Sequence, residues 1–400
     1  MKRAVKAVFA LCLCLLLTGC GGGQEIESSL FVLAMAVDPA PDGNLTVTVK
    51  ALSGTQDAAA SSGGASGAEQ QGGAEAQALD TGESDIEAPE PGYIVLSATA
   101  PSCLRALSLL SATTPRTVNL SQLREIVLNR TLAETDATLS ILKEIRSMYR
   151  ANGEAIVVVT PDDAGDFIRR QRAILGVRLS KYLEVLFDHF SELDTIPPDA
   201  QLSAVIAAME SGTIDASAVY AAGNRFDSTL ALGTGAELDR LPGHLPRTSP
   251  AENEYLGTAL FSGPRMTGVL TGEETGLLCL MMGAANRRTT FIGNAQYKIN
   301  LPTRVSRRID PSDGALCVNI RMNLTRIAGE EYISEAEIAA NIERACVNAL
   351  LRLRAAHSDA VGFGRLAIRK CLTIPEWEGV NWPAVYETLP VRVSAHVKVL

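Results

Sequence analysis

The chain has 400 residues, of which 46% are hydrophobic and 20% are charged, and its formal net charge at pH 7 is −9. This length and composition predict a globular protein with two or three domains. The negative charge, with no basic stretch carrying interleaved aromatic residues, argues against nucleic acid as a partner and against broad electrostatic adhesion to anionic lipid.

The first twenty residues carry a targeting signal. Cationic residues within 2–6 precede an uninterrupted apolar run at 7–17. That run has the length of a signal-peptide core and is too short to cross about 30 Å of hydrocarbon. The tetrapeptide LTGC at 17–20 then resembles the lipobox of bacterial lipoproteins. In those proteins the Cys thiol receives a diacylglycerol and becomes the first residue after cleavage.

We therefore predict a signal peptide at 1–19, lipidation of Cys20 with palmitate-like acyl chains, and a glycine-rich tether at 20–24. Two or more acyl chains give stable membrane anchoring, whereas one chain binds only marginally. An ordinary signal peptide is the alternative, because Cys12 and Cys14 show that cysteine is not rare in this segment. No later apolar run is long enough for a bilayer span, so we expect the mature chain to lie outside the membrane.

The first elements after the tether are strands. Residues 25–52 are typical of two strands around a turn at 38–44. The second strand alternates Leu45, Val47 and Val49 with polar residues, which predicts that one face is buried. Residues 53–92 contain mainly Ala, Gly, Ser, Gln and Glu, and we predict a disordered insertion because they lack apolar surface to bury.

Strands and helices alternate in the next part of the chain and predict a mixed α/β layer. We expect strands at 93–99, 125–129 and 155–160, and helices at 102–111, 135–150, 163–170 and 202–211.

The stretch at 225–254 is rich in Gly, Pro and Thr and predicts a domain junction. Beyond it we expect a hairpin at 255–270 and an alternating strand at 316–324, typical of an antiparallel sheet. A helix then follows from Ser334, capped by a capping box, to His357, and the chain ends on an alternating strand at 391–399. The predicted fold class is α+β, with mixed sheets and flanking helices.

Searches for catalytic chemistry find no zinc-protease, Walker A or nucleophile-elbow motif. A triad assembled from distant residues stays open, since its members need not be close in sequence. The histidines after Cys20 are His189, His244, His357 and His396. The cysteines after Cys20 are widely spaced, which favours small buried hydrophobes over a zinc site or disulfide framework: Cys103, Cys279, Cys317, Cys346 and Cys371. We predict no catalytic, metal-binding or cofactor-binding residues, and no enzyme.

Two weaker motifs near the C-terminus also have structural interpretations. Gly362–Ala367 fits Gly-x-Gly-x-x-Ala, but a helix precedes it, so a turn that needs glycine at positive φ is favoured over a dinucleotide site. For Trp377 and Trp382 we favour packing of a loop onto the final sheet over an exposed binding pair.

The order of these elements resembles the Ger(x)C family, the lipoprotein C subunits of nutrient germinant receptors in endospore-forming bacteria. The resemblance covers nearly the whole chain apart from the insertion. It rests on the lipobox, the segments at 257–261, 267–270 and 273–276, the DAVGFG run at 359–364, and the terminal strand. The chain departs from the family in having Gly21-Gly22 where Trp-Asp usually follows the lipidated Cys.

The resemblance implies a non-enzymatic receptor subunit that spore germination requires. It implies a place on the outer face of the cell membrane and on the inner membrane of the spore, with A-type and B-type integral membrane subunits as partners. It also implies an elongated arrangement of three domains, for which we expect limits at 25–195, 196–254 and 255–400. The alternatives are a solute-binding lipoprotein of a transporter and an anchored hydrolase.

Overall fold

A computed structural model describes residues 28–53, 92–148, 150–225, 239–247, 252–286, 289–292, 295–329 and 333–400. The expected signal peptide at 1–19, the tether at 20–24 with Cys20, and residues 54–91 of the expected insertion lie outside the described residues.

Strands and helices follow one another along the described chain as the alternating pattern predicts. The strands are β1 (Ser29–Pro39), β2 (Leu45–Leu52), β3 (Tyr93–Ala100), β4 (Thr117–Asn119), β5 (Glu125–Asn129), β6 (Ile156–Thr160), β7 (Ser217–Gly223), β8 (Asn253–Ser262), β9 (Arg265–Leu270), β10 (Thr289–Ile292), β11 (Ala295–Ile309), β12 (Leu316–Ala328) and β13 (Val391–Val399). The helices are α1 (Cys103–Thr113), α2 (Arg130–Ala133), α3 (Ala137–Ser147), α4 (Ala164–Arg170), α5 (Leu179–Glu192), α6 (Leu202–Ser211), α7 (Gly272–Met282), α8 (Glu335–Ala355), α9 (Gly364–Ala367), α10 (Ile374–Glu378) and α11 (Trp382–Thr388).

Nine of the described strands form a first, mixed sheet. Its order is β3-β2-β1-β5-β6-β7-β8-β9, and β4 pairs with β1 beside this path. The central strands β1, β5, β6 and β7 run parallel, and antiparallel strands flank them on both sides. Helical connections between parallel strands explain why the sequence alternates between the two periodicities.

Helices cover both faces of this sheet. Side chains of α1, α3 and α6 pack on one face, and side chains of α4 and α5 pack on the other. As a result Thr48 and Lys50 of β2 are 1% exposed, although the alternating pattern assigned them to an open face. The prediction of a half-buried β2 is therefore wrong, because α4 covers the face on which these polar residues lie.

The second sheet has the order β10-β11-β12-β13 among the described strands. β12 pairs antiparallel with β11 and parallel with β13, and α8 packs against β13. The predicted strand at 316–324, the helix and the last strand are confirmed, and Ser334 Oγ accepts the N–H of Glu337 at 3.2 Å at the start of α8. The two sheets with flanking helices confirm the α+β class.

The first sheet crosses two of the expected domain limits. β7 lies between residues 195 and 254 yet pairs with β6, and β8 pairs with β7 although it begins at the second limit. The limits themselves stay a prediction. Over the part of the chain that the structure describes, no helix has both the length and the apolar content for a bilayer crossing.

Candidate functional site

A cavity of about 370 Å³ lies on the face of the first sheet that α4 and α5 cover. One wall comes from α5, through Tyr182, Leu186 and Phe190, and the facing wall comes from the first residues of β8. The segment after α4 and the segment 245–247 close the sides with Ile174 and Leu245. Its size lies in the range of small-ligand pockets, roughly 300–1,000 Å³.

Below this cavity, four polar side chains form a buried hydrogen-bonded network. Gln171 Nε2 donates to Glu125 Oε1 at 2.6 Å and to the hydroxyl of Tyr255 at 2.7 Å. That hydroxyl donates to Glu125 Oε2 at 3.1 Å, and the ammonium of Lys50 donates to the backbone carbonyl of Gln171. Each of these residues is at most 5% exposed. The network therefore joins β2, β5, β8 and the end of α4.

Burial dominates the electrostatics of this network. It raises the pKa of Glu125 to about 7, against the hydrogen bonds from Gln171 and Tyr255 and the positive charge of Lys50, which lower it. Burial likewise raises the pKa of the Tyr255 hydroxyl well above its ordinary value, and the carboxyl of Glu125 adds to that rise. Tyr255 is also fixed by edge-on contacts with Phe167 and Phe187, at ring distances of 5.6 and 5.4 Å.

A second buried carboxylate holds the segment 239–247 against β8. Glu254, which is 3% exposed, accepts the backbone N–H of Gly243 at 2.6 Å and the Nε–H of Arg247 at 2.8 Å. The same carboxylate accepts a bond from the amide of Asn224. These bonds fix the rim of the cavity.

A third carboxylate, Asp359, organises the turn after α8. Its two oxygens accept the backbone N–H groups of Gly362, Phe363 and Gly364 at 2.7–3.0 Å, and the indole N–H of Trp382 at 3.0 Å. Burial raises the pKa of Asp359 to about 7, against the bonds from Gly364, Phe363 and Trp382, which lower it, and the charge of Asp215 adds to the rise. The Gly-x-Gly-x-x-Ala match is therefore a turn around a carboxylate, with Gly362 at φ +81°, as the preferred interpretation predicts.

The turn is packed too tightly for a larger residue. A Cβ at position 364 would lie 2.6 Å from the carbonyl oxygen of Thr213. Nearby, Asp215 accepts the N–H of Asp359 at 2.7 Å and the N–H of Gly263 at 3.0 Å. Asp215 thus connects the β8–β9 hairpin of the first sheet to the turn after α8.

Both tryptophans pack inside the second core, which confirms the packing interpretation. Trp377 and Trp382 are 9% and 7% exposed, and their ring centroids are 6.0 Å apart. The ring of Tyr386 lies 6.1 Å from that of Trp382. These aromatic side chains fix α10 and α11 against the second core.

The histidines and cysteines considered in the sequence analysis do not come together in a shared site among the described residues. The Nδ1 atom of His357 lies 2.5 Å from a carboxylate oxygen of Glu387, and His396 lies on the exposed face of β13. Cys103, Cys279, Cys317 and Cys346 are buried, as expected for small hydrophobes, whereas Cys371 is half-buried. Among the described residues, no group of three His, Cys, Asp or Glu side chains is placed to hold a metal ion.

The buried networks were missed by the sequence reasoning. Glu125 begins the apolar strand β5, and an ionisable residue beside such a run is a signal for a buried partner, whereas Lys50 lies at a polar position of an alternating strand. Gln171 and Tyr255 carry no comparable signal, because their place beside Glu125 depends on how α4 and β8 pack.

Comparison with known families gives two matches in tandem. Residues 22–222 match the model described as the spore germination protein N-terminal domain, and residues 256–400 match the model described as spore germination B3/GerAC like, C-terminal. Among curated proteins, none matches the chain.

One solved structure, described as the crystal structure of the GerBC protein, is similar over 92% of this chain and 96% of its own, with 13% identity and a TM-score of 0.47. The two family matches together span most of the 400 residues. This chain therefore belongs to the Ger(x)C family of spore germination proteins.

Proposed function

We propose that this chain is the lipid-anchored, non-enzymatic subunit of a nutrient germinant receptor, and that spore germination requires it. The observation that carries the proposal is the tandem family match, in which the N-terminal domain at 22–222 is followed by the C-terminal domain at 256–400. The partners we propose are an A-type and a B-type integral membrane subunit.

Anchoring is proposed through acyl chains on Cys20, which place the protein on the outer face of the cell membrane and on the inner membrane of the spore. The LTGC motif after an apolar run supports this part of the proposal. Metabolic labelling with a fatty-acid analogue tests it. We expect Cys20→Ala to abolish labelling and Cys12→Ala, a matched change upstream of the expected cleavage site, to leave labelling intact.

A non-enzymatic role is supported by the contacts of the two carboxyls, Glu125 and Asp359, whose pKa is raised to about 7. The oxygens of Asp359 are occupied by backbone and indole N–H groups, and Glu125 is fully buried and bonded to Gln171 and Tyr255. Both carboxyls hold elements of the fold together. A general acid or base must instead reach the proton that it transfers.

The receptor assignment is tested by affinity purification of a tagged copy from detergent-solubilised spore inner membrane, followed by mass spectrometry. We expect A-like and B-like integral membrane proteins to co-purify. If neither appears under conditions that preserve a known receptor complex, the receptor assignment fails.

The apolar cavity favours a second candidate role, the binding of a small apolar ligand, as a solute-binding lipoprotein would do. A ligand that binds only the folded state stabilises it by RT ln(1 + [L]/Kd), so the unfolding temperature rises with ligand concentration. A thermal-shift screen of small apolar metabolites tests this role, with Leu186→Trp as a variant in which the wall of the cavity is filled. A shift that persists in this variant would contradict binding at this cavity.

A further inference from the structure

The open face of the second sheet carries a concentration of positive charge. Strands β11, β12 and β13 contain eight Lys or Arg residues and no Asp or Glu, although the whole chain has a net charge of −9. α8 covers the other face of this sheet through β13. The cations that point away from α8 are Lys298, Arg304, Arg308, Arg321, Arg392 and Lys398.

Two arginines on neighbouring strands lie directly opposite one another. Arg304 of β11 pairs in register with Arg321 of β12, and Arg321 pairs with His396 of β13. Like charges at directly opposite positions destabilise a sheet. A sequence that keeps them there, on strands without any acidic residue, indicates a site that is completed by an external anion.

Carboxylates reach this face at one end. Arg392 and Arg308 form ion pairs with Asp313 and Asp310, which lie in the β11–β12 turn. At the other end, Arg304, Arg321, His396 and Lys398 line an open depression of about 450 Å³ together with Asn323. The charge is therefore concentrated on the half of the face away from the turn.

We propose that this basic face docks on anionic phospholipid headgroups of the membrane to which the chain is anchored. The proposal rests on the proposed lipid anchor at Cys20, which would keep the protein within reach of a bilayer and raise the effective concentration of headgroups. Lys and Arg near an anionic leaflet are attracted to it within about one Debye length.

The composition of the face favours lipid over single-stranded nucleic acid. The outward positions of β11, β12 and β13 carry mainly Asn, Ser and Thr between the cations, and no described residue lining the depression is a Phe, Tyr or Trp on which bases would stack. Exposed cations spread over three neighbouring strands fit the plane of a membrane surface, and the acyl chains would supply the hydrophobic part of the attachment.

Energy transfer from a tryptophan on this face to dansyl-labelled headgroups tests the proposal, using the full lipidated chain in vesicles. The reporter is Ser306→Trp, an exposed outward position of β11. The matched control is Leu351→Trp, a position 48% exposed on α8, which packs on the opposite side of the sheet. The native tryptophans are buried and give a constant background.

We expect Ser306→Trp to transfer energy in vesicles containing phosphatidylglycerol, and to lose that transfer in pure phosphatidylcholine or in about 1 M salt, where the Debye length is about 3 Å. Adding Arg304→Gln, Arg321→Gln and Lys398→Gln should abolish the same signal without unfolding the protein. Leu351→Trp should show little transfer in either lipid.

Equal transfer from the two reporters, or transfer that ignores phosphatidylglycerol, would overturn the proposal. A response of Ser306→Trp to inorganic phosphate alone, without dependence on phosphatidylglycerol, would identify a soluble anion site instead and also overturn it. Flotation with the vesicles is measured in every sample. Protein that fails to float indicates failure of the Cys20 anchor, whereas floating protein without transfer indicates failure of the docking proposal.

Discussion

The same sequence pattern, a charged residue that alternates with apolar residues along a strand, has different structural outcomes in the two sheets. Lys50 in β2 and Arg321 in β12 both alternate with apolar residues, and both strands were expected to have one open face. Helices cover both faces of the first sheet, so Lys50 is 1% exposed and bonded to Gln171, whereas Arg321 lies on an open face. A charged residue at an alternating position is thus buried and hydrogen-bonded where a helix covers that face of the sheet, and is exposed where no helix covers it.

The two buried carboxylates extend this comparison. Glu125 in the first sheet is held by side chains of distant elements, Gln171 and Tyr255. Asp359 near the second sheet is held mainly by three backbone N–H groups, all within the five residues that follow it. The first arrangement depends on the tertiary packing of the sheet, and the second depends on a local turn.

The largest expected effect is on the first sheet. Lys50→Met removes a buried cation whose charge favours the ionised form of Glu125, together with its bond to the backbone carbonyl of Gln171, so we expect the free energy of unfolding to fall by about 3–5 kcal/mol. Urea denaturation followed by circular dichroism at pH 8 measures this. The double variant with Glu125→Gln should recover part of the loss, and a fully additive double variant would contradict the coupling.

A smaller loss is expected at the local turn. Asp359→Asn removes the charge and one of the two acceptor oxygens that hold the turn and the Trp382 indole, which should cost about 2–3 kcal/mol. The intrinsic fluorescence of Trp382, in contact with the substituted group, follows the unfolding. Asp313→Asn at an exposed ion pair is the control, with about 0–1 kcal/mol expected. A loss at Asp359 no larger than the control would contradict the role given to this carboxylate.

The carboxyls of Glu125 and Asp359 should both contribute to the pH dependence of the free energy of unfolding. The folded-state pKa values of Glu125 and Asp359 are about 7, above their ordinary values of 4.5 and 3.8, so the folded state binds more protons between about pH 4 and 7. Through these groups, stability should rise as the pH falls from 7 toward 5, by up to about 1.4 kcal/mol per pH unit for each. Glu125→Gln and Asp359→Asn should each flatten the slope, measured by denaturation at several pH values. An unchanged slope in both variants would contradict the raised pKa values.

The smallest effect is expected on the open face. Arg321→Met removes one cation from a row of like charges and should change the free energy of unfolding by no more than about 0.5 kcal/mol. The same denaturation experiment checks this, beside Lys50→Met as its buried counterpart. A loss comparable with that of Lys50→Met would show that the second sheet is covered on this face too.

Local patterns predicted the elements whose periodicity is strong, among them β12, α8 and β13. They did not predict the 15-residue strand β11, because Pro302 and several cations interrupt its apolar alternation. They also missed α5. The burial of Lys50 was missed because it depends on the tertiary packing of α4 on β2. The turn at Gly362 was predicted from its glycines, but the bond between Asp359 and the Trp382 indole was not, because these residues are 23 positions apart.

Nutrient-triggered germination of spores that lack this chain tests the central claim most directly. In spores of the organism that encodes it, deletion should abolish the response to at least one nutrient of a panel without lowering the yield of spores. Complementation with the wild-type chain or with Cys12→Ala should restore that response, and Cys20→Ala should restore it poorly or not at all. Deletion spores that respond to every nutrient at the wild-type rate would contradict the account.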